Sequence, residues 1–155
     1  MIRQRLTGED SDRGAAALEF ALVLPLLLLL IFGTVDFAMA YQRHVTLAHA
    51  AREGVRAWAL SDPDAPTDPT PTTQGAASGL PAASVTVACA TALIPGGPWA
   101  PVACSDPCLT GTPARVTAQY DYTFITPVAS FMGMFGATPS DTIALRGQGV
   151  MRCGG

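Results

Sequence analysis

The chain has 155 residues, and its charged content of 14% is well below the roughly 25% of a typical soluble domain. All nine basic residues are Arg; against twelve acidic residues they give a formal charge of −3 without any basic cluster. This balance argues against a nucleic-acid binder, so we expect no nucleic-acid partner. The length allows one modest domain at most, and the positive mean hydropathy of +0.32 indicates that apolar residues are concentrated in one part of the chain.

The concentration lies near the N-terminus, where Ala15–Val35 has 21 residues and a single charge, that of Glu19. Because a bilayer core needs about 20 such residues in a helix, we predict a transmembrane helix over residues 15–36. Three Arg lie before the stretch, and two, Arg43 and Arg52, lie within reach after it, which places the N-terminus in the cytoplasm by the positive-inside rule. The chain is therefore predicted to cross the cytoplasmic membrane once, with its C-terminal domain outside.

Two alternatives to this membrane helix stay open. Ala38-Met39-Ala40 is an A-x-A pattern of the type that signal peptidase cuts after, which would release a secreted domain beginning at Tyr41. A secretory apolar region has roughly 7–15 residues, however, and here Asp36 also stands between the run and the candidate cut. A static signal anchor that keeps Met1 is the other alternative.

The position of the acid carries the most information about function. A carboxylate inside an apolar run is costly and marks a functional candidate. Gly14 ends a short polar leader, four apolar residues follow, and Glu19 comes next. This arrangement resembles the leader of type IV prepilins and pseudopilins, in which a membrane peptidase cuts after the Gly and Glu is the fifth mature residue. The resemblance implies a cytoplasmic leader over residues 1–14 and a cut between Gly14 and Ala15.

Longer blocks extend this resemblance. The blocks are RGAAALEFALVLPLLLLLIFGTVDFAMAY, AHAAREGVRAWA and LRGQGVMR. They are similar to the TadE-like family of minor pseudopilins of tight-adherence (Flp) type IV pilus systems, well over residues 13–60 and loosely over 114–152. The implied partners are the membrane, a prepilin peptidase, other pilins or pseudopilins and an inner-membrane assembly platform, with an extracellular pilus as the destination after assembly. Two other functions stay open: a pseudopilin of a secretion or competence system, and a signal-anchored or secreted binding domain.

Glu19 has a physical role in this interpretation. A cut after Gly14 creates an α-amine at Ala15, which is largely cationic at pH 7. In a packed bundle of helices, the Glu19 carboxylate of one chain can pair with the Ala15 amine of a neighbour and so set the axial register. Pro25, in the middle of the run, is predicted to kink the helix, which membrane helices tolerate.

An amphipathic extension is predicted over residues 37–60, because apolar residues recur there three or four positions apart. His44 and His49 do not share a face of this helix, so we interpret them as solvated residues rather than metal ligands. The predicted core-facing stripe is Tyr41, Val45, Ala48, Ala51, Val55 and Trp58.

A Pro-rich linker is predicted over residues 61–83, where five Pro argue against any helix or central strand. The linker also carries Asp62, Asp64 and Asp68. They lack the Gly turn and closing Glu of an EF-hand, so we interpret them as solvated.

Residues 84–155 are predicted to form a small β domain. Period-two alternation marks strands around Val85–Leu93, Val116–Phe124 and Ile143–Cys153, with a short helical or apolar crossover over Val128–Phe135. An antiparallel sheet of three or four strands packed on the helical stripe makes the predicted fold class α+β, with a long N-terminal membrane-spanning helix.

The four cysteines, Cys89, Cys104, Cys108 and Cys153, all follow the apolar run and lie on the predicted oxidising side. Three connectivities are possible, and Cys89–Cys104 with Cys108–Cys153 is slightly favoured because neighbouring segments would be tied. A zinc site would need a second close pair, and redox catalysis would need C-x-x-C. With no nucleophile–base pair, phosphate loop or metal cluster in the sequence, we expect neither a cofactor nor an enzyme.

Overall fold

The computed structural model describes residues 9–128, 130, 133, 136 and 142–154. A long N-terminal apolar helix is followed by a small four-stranded antiparallel sheet, which confirms the predicted α+β class. The elements in chain order are α1 (Glu9–Ala59), α2 (Pro69–Ala76), a 3-10 turn (Ala82–Ser84), β1 (Thr86–Thr91), β2 (Ala100–Val102), β3 (Pro113–Thr123) and β4 (Thr142–Arg152).

The chain divides into two compact units. The first, the helical unit, contains α1 up to Phe37 and the segment that begins at Phe124. The second, the sheet unit, contains α1 from Ala38 onward, α2 and the four strands. Residues 1–8 of the predicted leader lie outside the described residues, and residues 9–14 belong to α1.

Helix α1 is continuous over 51 residues, about 77 Å at 1.5 Å per residue. It passes through Pro25 and across the predicted boundary between residues 36 and 37 without losing its helical assignment. Its C-terminus is tied by two bonds: the Gly154 N–H donates to the Ala59 carbonyl at 2.9 Å, and the Ser61 hydroxyl donates to the Trp58 carbonyl at 2.7 Å. These bonds satisfy carbonyls that a helix end leaves without partners.

The sheet has the strand order β2-β1-β3-β4, and every neighbouring pair is antiparallel. The three predicted strands correspond to β1, β3 and β4, whereas the short edge strand β2 was not predicted. The expectation that Leu93 shares the buried face of the first strand is wrong. β1 ends at Thr91, and Leu93 lies beyond it with 95% of its surface exposed. Of the crossover predicted over Val128–Phe135, residues 128, 130 and 133 are helical, and the others lie outside the described residues.

The core of the sheet unit lies between α1 and one face of the sheet. One cluster of buried residues, on the earlier turns of the packed part of α1, joins Leu47 and Ala51 to Val85 and Ala118. A second cluster joins Val55 and Trp58 to the sheet, and Trp58 has no exposed surface. The residues that complete this second cluster are Ala59, Cys89, Cys108, Ala114, Val116 and Cys153.

The predicted stripe on α1 is only partly the buried face. Ala51, Val55 and Trp58 are buried as expected, but Tyr41 is 61% exposed and Val45 is also exposed. The buried line instead continues through Leu47 and through small residues, which contribute little to a hydropathy pattern. These additional buried positions are Ala40, Leu47, Ala50 and Gly54.

Two glycines of β4 explain why the helix lies so close to the sheet. A Cβ at Gly147 would lie 2.2 Å from the backbone carbon of Leu47, and one at Gly149 would lie 2.5 Å from the Ala51 carbonyl oxygen. Real Cβ atoms do not approach backbone atoms so closely, so α1 and β4 are in backbone contact at these two positions.

The interpretation of residues 61–83 as a linker without helix is wrong, because α2 forms over Pro69–Ala76. Pro69 and Pro71 lie in its first turn, where backbone N–H groups have no intrahelical partner and Pro therefore costs nothing. The Asp68 carboxylate caps this turn by accepting from the Thr70 N–H at 2.7 Å. α2 also packs on α1, where buried Thr73 lies directly over Gly54.

Candidate functional site: the exposed apolar helix

The N-terminal part of α1 presents large apolar side chains to its surroundings. Among the described residues, this is the one helix long and apolar enough to cross a membrane, and none of its most apolar 18-residue window is buried. Leu18, Leu22 and Leu26 are 65%, 74% and 68% exposed. A surface of this kind needs lipid or other helices to cover it, since water cannot solvate it favourably.

The polar groups within the apolar run are few. The Thr34 hydroxyl donates to the Leu30 carbonyl at 2.7 Å, so it is satisfied inside the helix. Glu19 is exposed and lies near the start of the run. The carboxylate of Glu19 is therefore the one ionic group that Ala15–Val35 offers to a neighbour.

The predicted cleavage residues lie on the same helix. Gly14 and Ala15 are exposed, and no atom lies within 4 Å of a Cβ built on Gly14. Ala15 and Glu19 are four residues apart, so they share one face and are separated by about 6 Å along the axis. Nothing in the helical unit restricts access to either residue among the described positions.

Pro25 lies inside α1 and is half-buried. It has no backbone N–H, so one hydrogen bond of the helical ladder is missing at this level. A shallow apolar groove of about 380 Å³ lies beside it, lined by Ala21, Leu22, Pro25, Leu26 and Leu29. Such a groove on a helix surface can accept a side chain from a second helix.

Asp36 is a site residue that the sequence did not reveal. It directly follows the apolar run, yet its side chain is only 2% exposed. Its carboxylate accepts a hydrogen bond from the Ile125 N–H at 3.0 Å and another from the Thr126 hydroxyl. Both partners belong to the same helical unit, so Asp36 fastens the segment that follows β3 to the end of the apolar run. The contact joins residues 89 and 90 positions apart, which no local pattern could indicate.

The four cysteines form two disulfides in the sheet unit, Cys89–Cys104 and Cys108–Cys153. This is the connectivity that the sequence favoured. One bridge joins β1 to the chain just after β2, and the other joins the loop before β3 to the residue that follows β4. The bridges staple a small core and are typical of an extracytoplasmic domain.

The histidines of α1 and the Asp residues of the segment 61–83 are the remaining candidates for metal ligands. His44 and His49 are both exposed on α1, and the Asp62 carboxylate accepts from the Asp64 N–H at 3.0 Å. Within the part of the chain that the structure describes, no group of three His, Cys, Asp or Glu side chains is placed to hold a metal ion.

Comparison with known proteins identifies the same segment. Residues 14–56 match the family described as TadE-like protein. No curated protein and no solved structure matches the chain. The matched residues begin at the predicted cleavage position and end within the part of α1 that packs on the sheet. Over residues 14–56 the chain is therefore similar to the TadE-like family, as its sequence predicts.

Proposed function

We propose that the chain is a minor pseudopilin of a tight-adherence pilus system, cut after Gly14 by a prepilin peptidase and assembling through α1. The observation that carries this proposal is the exposed apolar run Ala15–Val35 with its single acid, Glu19, which is exposed and stands at the fifth position after Gly14. The family match, which begins at Gly14, supports a protein associated with such a pilus.

The Gly14–Ala15 bond lies where the helix can unwind for cleavage. A peptidase binds its substrate in extended form, so the helix must unwind around the Gly14–Ala15 bond before cleavage. Gly14 weakens the helix at this point by about 1 kcal/mol relative to Ala. Its exposure means that unwinding breaks no side-chain packing of Gly14 itself.

The proposed cut creates a cationic partner for Glu19 on a neighbouring chain. The new amine at Ala15 and the carboxylate at Glu19 lie about 6 Å apart along the axis, a little more than one helical turn. A neighbouring helix shifted by that distance brings its Ala15 amine level with Glu19. Because an unpaired charge in a low-dielectric bundle is costly, only this axial register is favourable.

Retention of the whole helix is supported by Asp36. A secretory cut after Ala40 would remove the carboxylate that holds Ile125 and Thr126. The product would leave that segment without its anchor, which argues for a chain that keeps the apolar run after maturation.

The proposed location follows from the same features. One apolar helix supports single-pass anchoring in the cytoplasmic membrane, and the two disulfides support a sheet unit on the outer side. The proposed partners are the prepilin peptidase, other pilins or pseudopilins and the inner-membrane assembly platform. In this role the chain is a peptidase substrate and a structural component rather than an enzyme.

The assembly claim is tested by Glu19→Gln, which removes the charge and keeps the side-chain shape. In cells that carry the pilus system, we expect membrane insertion and cleavage to be unchanged while the pili recovered from the cell surface fall at least about tenfold, as for loss of a matched charge. Glu53→Gln is the matched control, because Glu53 is an exposed acid on the same helix outside the apolar run. Normal piliation by Glu19→Gln would contradict the proposed pairing.

A further inference from the structure

The segment that Asp36 holds has an unusual composition. From Tyr122 to Ser140 the chain has 19 residues without one Asp, Glu, Arg or Lys. Every Phe of the protein lies either here or in α1 up to Phe37. These six residues are Phe20, Phe32, Phe37, Phe124, Phe131 and Phe135.

The described start of this segment presents apolar surface. Ile125 is 66% exposed, Pro127 is exposed, and Phe124 and Val128 are half-buried. The segment leaves the sheet at the end of β3, and it belongs to the helical unit rather than to the sheet unit.

Asp36 fixes the level of the segment along the helix. The carboxylate immediately follows Val35, the last residue of the predicted span, so Ile125 and Thr126 are held where α1 leaves the hydrocarbon core. Phe37 and Tyr41 lie on the same stretch of helix and are 72% and 61% exposed. Aromatic side chains concentrate at this depth, where the bilayer meets water.

From these observations we infer that residues 124–128 are a second membrane contact, an apolar stretch that lies in the bilayer interface beside the exit of α1. Its occupant is lipid, because the segment continues the apolar surface of the helix at the level where headgroups and acyl chains meet. Asp36 positions it through the Ile125 N–H and the Thr126 hydroxyl. The inference rests on Ala15–Val35 as a membrane span and is independent of pilus assembly.

The test uses the full chain, one molecule per nanodisc, in phosphatidylcholine and phosphatidylglycerol with or without acyl-chain bromination. Ile125→Trp adds a fluorophore at an exposed side chain and keeps the backbone N–H that bonds Asp36. We expect brominated lipid to quench about half of the added fluorescence, after subtraction of the signal from Trp58 and Trp99. Leu93→Trp is the matched control, because Leu93 is an exposed apolar residue of the sheet unit.

Three outcomes decide the inference. Quenching of Ile125→Trp with little quenching of Leu93→Trp supports it. Equal quenching of both variants would mean general adsorption of the chain and would overturn it. Absence of quenching at Ile125→Trp would also overturn it, as expected if this segment instead contacts a second copy that a single-chain nanodisc lacks.

A further variant tests the role of Asp36. Asp36→Ala in the Ile125→Trp background removes both hydrogen bonds, and we expect the quenching to fall at least twofold as the segment loses its fixed depth. Unchanged quenching would overturn the positioning role of Asp36. Insertion of this variant is checked separately by protease protection, so that a failure to insert is recognised as such.

Discussion

Small residues set the distance between the helix and the sheet. At Gly147 and Gly149 the backbones of β4 and α1 meet, and at Gly54 the side chain of Thr73 lies where a Cβ would be. The alternation of apolar residues in β4 predicted its inward face, but Gly has no side chain and therefore interrupts the apolar pattern. Only the structure shows that the backbone of α1 occupies the space beside Gly147 and Gly149.

Gly147→Ala is therefore expected to destabilise the sheet unit by about 1–3 kcal/mol, because the new methyl group overlaps the Leu47 backbone. Gly75→Ala is the matched control: Gly75 lies in α2 with open space around it, so the change is expected to be neutral or slightly stabilising. Urea unfolding of the full chain in detergent micelles, followed by Trp fluorescence, measures both. Equal stability of the two variants would contradict the close approach of α1 and β4.

The residues of the candidate site fall into two groups: those that the sequence indicates and those that only the structure reveals. The roles of Gly14, Ala15 and Glu19 stay predictions, and they could be formulated from the sequence because they depend on spacing along one helix. Asp36 could not be predicted, because its partners Ile125 and Thr126 are distant in sequence and its burial depends on the fold. An acid after an apolar run is expected to be a solvated end, and here it is a buried anchor.

At the level of elements, the long helix α1 and the long strands were predictable, whereas α2 and β2 were not. α1, β3 and β4 are long and carry sustained periodicity. β2 has three residues with Pro101 at its centre, which is too short for any pattern. α2 was missed because Pro was taken as a breaker, although in the first turn of a capped helix it is favourable.

The two disulfides tie these elements together, and removal of each is expected to lower the free energy of unfolding by a different amount. Cys89–Cys104 closes a separation of 15 residues and Cys108–Cys153 one of 45. On chain-entropy scaling, removing the first costs about 3 kcal/mol and removing the second about 4 kcal/mol. Urea unfolding of the two double Cys→Ala variants measures this difference, and a non-reducing peptide map checks the pairing in the parent chain. Free thiols in that map, or a larger loss from the shorter loop, would contradict the assignment.

The whole molecule combines two units with different demands. The sheet unit has a small core that two disulfides staple, whereas the helical unit exposes apolar surface that its own chain does not cover. The low charge of the sequence is most pronounced in the apolar run Ala15–Val35, which has 21 residues and one charge. This division fits the proposed pseudopilin role, in which α1 would provide the surface for membrane and assembly while the sheet unit would remain folded outside.

The N-terminus of the mature protein tests the central proposal most directly. The chain is expressed with and without a prepilin peptidase in the membrane of the same cells, purified, and analysed by intact mass and N-terminal sequencing. We predict Ala15 as the first residue when the peptidase is present and Met1 when it is absent, with Gly14→Val remaining uncut in both. A mature chain that begins at Tyr41, or one that keeps Met1 beside an active peptidase, would contradict the account.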